Sequence, residues 1–235
     1  MFKRNHHNAV LAALHELDAD LFERAECYFG GGTAIVLQLD EYRESIDIDF
    51  LCASAKGYRE LRQAIWGTGL QGLLAKDSRM EAIRDVRTDQ YGIRAALKIG
   101  DTVIKFEIVR EARVELNGEM DPTLGVPVLD RDDMYTEKLL ANADRWVDAS
   151  VMNRDIIDLS MMINRWGPIP DAAWEAARGA YGDTVDDAYQ KAVARIRSPE
   201  WLAKCMTAMS IDDALKDEIL APHGGPKDKT PSPFD

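Results

Sequence analysis

The stretch Phe29-Gly-Gly-Gly-Thr-Ala-Ile-Val-Leu-Gln-Leu-Asp-Glu-Tyr-Arg-Glu-Ser-Ile-Asp-Ile-Asp-Phe50 decides how the rest of the chain is read. Three glycines open an apolar helix, a polar link follows, and a strand then carries two aspartates one residue apart. Strand side chains alternate, so Asp47 and Asp49 share one face while Ile46, Ile48 and Phe50 point into a core. Two carboxylates on one face repel each other unless a cation lies between them. Mg²⁺ suits such a place, being a hard ion commonly held by one or two carboxylates plus phosphate oxygens. The glycine turn supplies the complement, backbone N–H groups that approach a phosphate at a helix N-terminus. The two halves together predict a metal-dependent enzyme acting on a nucleoside triphosphate.

Glycine pair, helix and Asp-x-Asp strand, in that order, resemble the nucleotidyltransferase superfamily of the polymerase-β type. More narrowly, Gly31-Gly32-Thr33-Ala34 followed by Arg43, Ser45 and Asp47-Ile48-Asp49-Phe50 is similar to the AbiEii/AbiGii toxin-like nucleotidyltransferases. A later region carries the same resemblance: Glu137-Lys138-Leu139-Leu140-Ala141, then Asn153-Arg154-Asp155-Ile156-Ile157-Asp158-Leu159. The resemblance implies an α+β nucleotidyltransferase fold, with a small mixed β-sheet flanked by helices and followed by an α-helical C-terminal domain. It implies Mg²⁺ on Asp47 and Asp49, with a third carboxylate on a neighbouring strand. It implies a triphosphate cradled by Gly31, Gly32 and Thr33 beside Ser45, contacted by Lys138, with Asp155 and Asp158 at or near the cleft. The biological role it implies is the toxin of a bacterial toxin–antitoxin or abortive-infection pair. The antitoxin would be separately encoded, and the acceptor an RNA, tRNA-like in some members.

The 235 residues suffice for one large domain or two small ones, and 46% hydrophobic with 30% charged residues is ordinary for a globular protein. The net charge of −12 argues against broad non-specific nucleic-acid binding, though a local basic cleft on an acidic protein remains compatible with it. Six basic residues (Arg84, Arg87, Arg94, Lys98, Arg110, Arg113) are candidates for such a strip near the sheet. Cys27, Cys52 and Cys205 are isolated and odd in number, and read as reduced, buried residues of a cytosolic protein. No apolar run approaches a membrane span, and the first residues lack a signal peptide's apolar region.

Along the chain, residues 8–26 show helical periodicity, with His6, His7 and His15 read as a solvated helix start. Residues 27–29 are a strand and 33–39 a helix. Residues 57–66 are amphipathic, with Tyr58, Leu61, Ile65 and Trp66 on the buried side. Strands are expected at 80–87, 91–99 and 102–109, the last two joined by a Gly100-Asp101 hairpin. In the last strand Ile104, Phe106 and Ile108 alternate with Val103, Lys105, Glu107 and Val109. Glu107 is thus the candidate third acid by position and type; its other reading is a solvent-facing partner of Lys105 or Lys98. Residues 121–129 read as a loop with a short extended piece, dividing a nucleotidyltransferase domain (1–128) from a helical one (129–221).

From Asp130 the pattern is helical, with Met134, Lys138, Ala141 and Arg145 on one stripe. Residues 151–166 follow, with Met152, Ile156, Leu159 and Ile163 buried and Arg154, Asp155 and Asp158 as a polar cluster. Later helices are expected at 171–180, 185–196, 199–209 and 212–220, with Trp174 and Trp201 anchoring their core, and residues 222–235 as a flexible tail. Two other readings stay open at this point. One is a small-molecule nucleotidyltransferase of the antibiotic-modifying kind; the other is an interaction module without activity.

Overall fold

Phe50 explains why the acidic strand sits where it does. Its ring lies 4.5 Å from Phe22, 5.5 Å from Phe29 and 5.9 Å from Phe106, and all four side chains are fully buried. Such a cluster removes a large apolar area from water and fixes which face of the strand turns inward. With Ile48 and Phe50 committed to the core, Asp49 must face the other way.

The computed structural model describes residues 1–78, 80–83 and 85–224. Its strands are β1 (Cys27–Gly30), β2 (Ile48–Cys52), β3 (Arg87–Thr88), β4 (Gly92–Ile99), β5 (Thr102–Arg110), β6 (Gly118–Asp121) and β7 (Val126–Leu129). They form one mixed sheet in the order β3-β4-β5-β2-β1-β7-β6. β2 runs antiparallel to β1 and parallel to β5, so the acidic strand lies in the middle of the sheet. The β4–β5 hairpin closes at Ile99↔Thr102, with Gly100 at φ 58°, as its Gly-Asp turn predicts.

Helices α1 (Asn5–His15), α2 (Ala19–Arg24), α3 (Gly31–Gln38) and α4 (Ala55–Ala64) belong to the first half. Helices α5 (Arg131–Arg145), α6 (Arg154–Trp166), α7 (Asp171–Tyr181), α8 (Thr184–Ile196), α9 (Pro199–Ala208) and α10 (Lys216–Leu220) form the second. α5 packs on α6, α7 and α8, while α3 lies against both α5 and α6 and ties the helical layer to the sheet. Among the described residues no helix is long and apolar enough to cross a membrane.

Several expectations are corrected. The helix read over 8–26 is two helices, because the Asp18 side chain accepts from the Leu21 N–H and restarts the helix as α2. His7 is buried rather than solvated: Nδ1 lies 2.7 Å from Glu41 Oε1, and Nε2 accepts from the Ser45 N–H at 3.3 Å. Ile46 and Trp66 are 43% and 86% exposed, since β2 begins only at Ile48 and α4 ends at Ala64. The strand expected over 80–87 reduces to an Ala82↔Leu97 bridge and the two residues of β3, with Arg84 outside the described residues. The loop read over 121–129 belongs to the β6–β7 hairpin, whose second strand pairs parallel to β1. α6 begins at Arg154, not 151, after a left-handed pair at Met152 and Asn153. In the terminal segment His223 is bonded to Ser160 and Tyr189, and residues 225–235 lie outside the described residues. Cys27, Cys52 and Cys205 are free and buried.

Candidate active site

The turn from β1 into α3 is shaped by what faces it. Gly31 has φ 67°, and a Cβ there would meet Asp49 Oδ2 at 3.0 Å, so the backbone conformation and the nearby acid both demand glycine. A Cβ at Gly32 would meet the Arg43 guanidinium. The first turn of α3 therefore lies directly beside Asp49 and Arg43, with its free N–H groups available to an anion. Thr33 is buried, and its hydroxyl bonds Ser45 Oγ at 2.8 Å.

On the sheet, Asp49 pairs in register with Glu107 of β5. Burial raises the Asp49 carboxyl, Lys105 opposes this, and the charges of Asp47 and Glu107 add to the rise. Glu107 is tied on both oxygens, to Arg94 Nε at 2.6 Å and Lys105 Nζ at 2.7 Å. Burial pushes its carboxyl up, but these two cations outweigh that and hold it below the usual range. The two readings of Glu107 thus meet in one place, a salt-bridged acid that is also the strand neighbour of Asp49.

The opposite wall is helical. Lys138 on α5 is 4% exposed, with Nζ 3.0 Å from Asp155 and 2.7 Å from Asp158 on α6. Arg145 holds Asp155 with two bonds of 2.7 and 2.9 Å, and Arg43 holds Asp158 with two of the same lengths. The Tyr42 hydroxyl donates to Asp158 as well. Burial raises both aspartates, yet Lys138 and the two arginines overcome it and hold them well below the ordinary carboxylate range.

One cavity of about 260 Å³ joins the walls. Gly31, Gly32, Ser45, Asp47, Asp49, Glu107 and Lys138 all line it; Thr33, Asp155 and Asp158 do not, and reach it through Ser45, Lys138, Arg43 and Arg145. Among the described residues, six cations and five acids line the cleft, a basic excess in a chain of 41 acidic and 29 basic residues.

A family profile for the nucleotidyl transferase AbiEii toxin of type IV toxin–antitoxin systems matches residues 13–220. The chain belongs to the AbiEii family. Its class of activity is accordingly that of a nucleotidyltransferase. Comparison with curated proteins gave no match. Among solved structures, a nucleotidyltransferase from H. pylori aligns at 15% identity over 79% of this chain and 94% of its own, with a TM-score of 0.33. An antigenic nucleotidyltransferase-like protein from Paracoccidioides brasiliensis aligns at 12% identity over 91% and 97%, with a TM-score of 0.41. Neither likeness is close enough to carry an argument about this AbiEii chain.

Sequence reasoning gave no role to two cleft acids of the AbiEii chain. Glu111 is buried and held by Arg113 through bonds as short as 2.6 Å; burial pushes it up, but Arg113 overcomes this and keeps it charged. Glu137 lies beside them, with Arg113 at 3.7 Å, and among the described residues its Oε1 has no hydrogen-bond partner. Burial, with the Glu111 charge adding to it, pushes the Glu137 carboxyl up to about 8. A signal was present: Glu137 lies three residues after Met134 and four before Ala141, on the stripe that delivers Lys138.

Asp47 and Asp49 both line the cleft, and burial and like charge both penalise Asp49 in its ionised form, a penalty that a cation relieves. Among the described residues no three His, Cys, Asp or Glu side chains converge as a ligand cluster. Mg²⁺ needs only one or two protein carboxylates when phosphates complete its shell, so the pair fits. Glu107 fits only by releasing Arg94 or Lys105.

Proposed function

We propose that this chain transfers a nucleoside monophosphate from an NTP to the hydroxyl of an RNA acceptor, as the toxin of a pair whose antitoxin is a separate protein. The observation that carries the reading is the facing of two walls across one small cleft. Asp47, Asp49 and Glu107 line one side with the α3 turn beside them, and Lys138 lines the other. The triphosphate lies against Gly31, Gly32 and Ser45, with Lys138 balancing its charge.

Asp47 and Asp49 would hold a Mg²⁺, which would supply charge neutralisation of the phosphates and a lower pKa for the attacking hydroxyl. The acceptor oxygen bonds the α-phosphorus, the bond to the bridging oxygen breaks, and pyrophosphate leaves. The acceptor's proton goes to the carboxylates that line the cleft, where Glu107 stands in register beside Asp49. Asp155 and Asp158 act as positioning residues, since each holds Lys138 and one arginine and neither lines the cleft.

Incubation with each α-labelled NTP, Mg²⁺ and total RNA tests this, with Asp49→Asn as control. Label on a discrete RNA band from the unaltered protein alone is the expected result. Label on a small hydroxylated compound and none on RNA would overturn the acceptor assignment.

A further inference from the structure

A transverse row of side chains leaves the catalytic acids and crosses the sheet. Asp49 on β2 is paired with Glu107 on β5, Glu107 with Arg94 on β4, and Arg94 with Arg87 on β3. Residues paired in this way share one face. With strands about 4.8 Å apart, the row runs about 14 Å from Asp49 to Arg87. Its charge changes sign midway, from two acids to two arginines.

The surface beyond the row continues the trend. Arg59 and Arg62 lie three residues apart on one face of α4, and Trp66 follows four residues later. Trp66 is 86% exposed, an unusual place for the largest apolar side chain. Two hollows lie between these residues and the cleft, on either side of the edge strand β3, since Arg87 lines one and Thr88 the other. One, of about 320 Å³, is lined by Arg87 and Arg94 and shares Lys105 with the cleft. The next, of about 430 Å³, is lined by Arg59, Arg62 and Trp66 and shares Asp85 with the first. Among the described residues, five cations and one acid, Asp85, line the two hollows of a protein whose net charge is −12. Among the described residues Arg59, Arg62 and Arg87 have no ion-pair partner, whereas Arg94 is shared between Asp89 and Glu107.

We propose that this track takes the single-stranded end of the RNA acceptor. Its terminal hydroxyl would lie at Asp49, its phosphates along Arg94, Arg87, Arg62 and Arg59, and a base on the face of Trp66. The inference rests on the reading of the cleft as an RNA-directed nucleotidyltransferase. The chemistry asks for a ligand that is both polyanionic and equipped with flat apolar faces. Single-stranded nucleic acid is that ligand, bound through arginines along its backbone and aromatic rings beneath its bases. The row that runs from Asp49 to Arg87, at the edge strand between the two hollows, favours an acceptor over a covering protein, which would have no need of a path into the cleft.

The test is binding of a 5′-fluorescein, 12-nucleotide single-stranded RNA to the full chain, read by anisotropy without NTP. Trp66→Ala should weaken binding about five- to 150-fold, the range of one lost base stack. The double variant Arg59→Glu, Arg62→Glu should weaken it further and flatten the dependence of log K on log salt by about 0.7 for each phosphate contact removed. Lys216→Glu, a charge change of the same kind on α10, should bind as the unaltered protein does. Circular dichroism checks that the variants fold. Active protein whose track variants keep full RNA affinity would overturn the track and leave the nucleotidyltransferase reading standing. Trp66-dependent RNA binding by a protein that transfers no nucleotide would keep the track and sink that reading. No RNA binding by the unaltered protein overturns the track, as does equal RNA affinity in all variants with Trp66→Ala instead losing a purified protein partner.

Discussion

The two walls of the cleft use the same residue types to opposite ends. On the helical wall, Asp155 and Asp158 meet Lys138, Arg43 and Arg145, so two acids are shared among three cations and both carboxyls are depressed. On the sheet wall, Asp49 stands beside Asp47 and Glu107, and its carboxyl is raised. Carboxylates outnumbered by cations hold other groups in place; carboxylates crowded together are held short of a cation. Which wall a given aspartate serves follows from its neighbours and not from its own burial, since Asp49 and Asp158 are both largely withdrawn from water.

The comparison breaks first at Asp158. Asp158→Asn leaves Arg43 and Lys138 short of a buried counter-charge and should cost about 3–5 kcal/mol. That corresponds to a melting temperature lower by about 6–20 °C in a chain of this length. A melt within two degrees of the unaltered protein would remove the helical wall's structural role. Asp49→Asn should do the reverse. Transfer should fall by at least about 10²–10³-fold, the scale of losing one preorganised charge-stabilising group. Stability should hold or rise, because a penalised buried charge is gone. Label transfer and a thermal melt on the same preparation read both.

The acid limb of stability sharpens the contrast. Asp158 drops from the ordinary 3.8 to about 2 in the fold. Its contribution is therefore complete above about 3.8 and is lost as the pH falls through 2. Denaturant midpoints measured between pH 5 and 2 should decline steeply, and the decline should be shallower in Asp158→Asn. Glu137 works with the opposite sign and a smaller effect. Its folded value of about 8 exceeds the ordinary 4.5, so the fold holds a proton that the unfolded chain releases. Stability should fall as the pH rises from about 4.5 to 8. Glu137→Gln removes that slope; equal slopes in the two proteins would show that Glu137 is ionised in the fold.

Much of this was legible in the sequence, for reasons that differ by residue. Asp49 and Glu107 were readable because strand alternation is strict, so one apolar face fixes where an intervening acid points. Lys138 and Arg145 were readable as cations on a stripe begun by Met134 and shared with Ala141. Their partners were less so: Asp158 could be assigned to the cleft or to a network, and only the packing of α6 on α5 puts it behind the wall. The Glu111–Glu137 pair that Arg113 holds was missed because it joins a strand exit to a helix across 26 positions. Trp66 and Ile46 were misplaced for a simpler cause: periodicity was extended past the residues at which α4 ends and β2 begins. The β6–β7 hairpin was hidden by its turn, Pro122 to Gly125, which reads as plain loop until β7 finds β1.

The loop that delivers Asp47 is gripped from both ends of the chain. The Lys3 and Arg4 N–H groups donate to Glu41, and His7 bridges Glu41 and the Ser45 N–H. From the far end, Arg165 donates to the Leu39 carbonyl, the Glu44 N–H donates to the Met209 carbonyl, and Arg4 reaches the Ser210 carbonyl. Contacts of such sequence separation form late. A nascent chain halted before Ser210 should therefore bind triphosphate poorly although every residue lining the cleft has already been made. The later helices thus act on the cleft as a clasp: they hold the loop that carries Asp47 through backbone carbonyls without lining the site themselves.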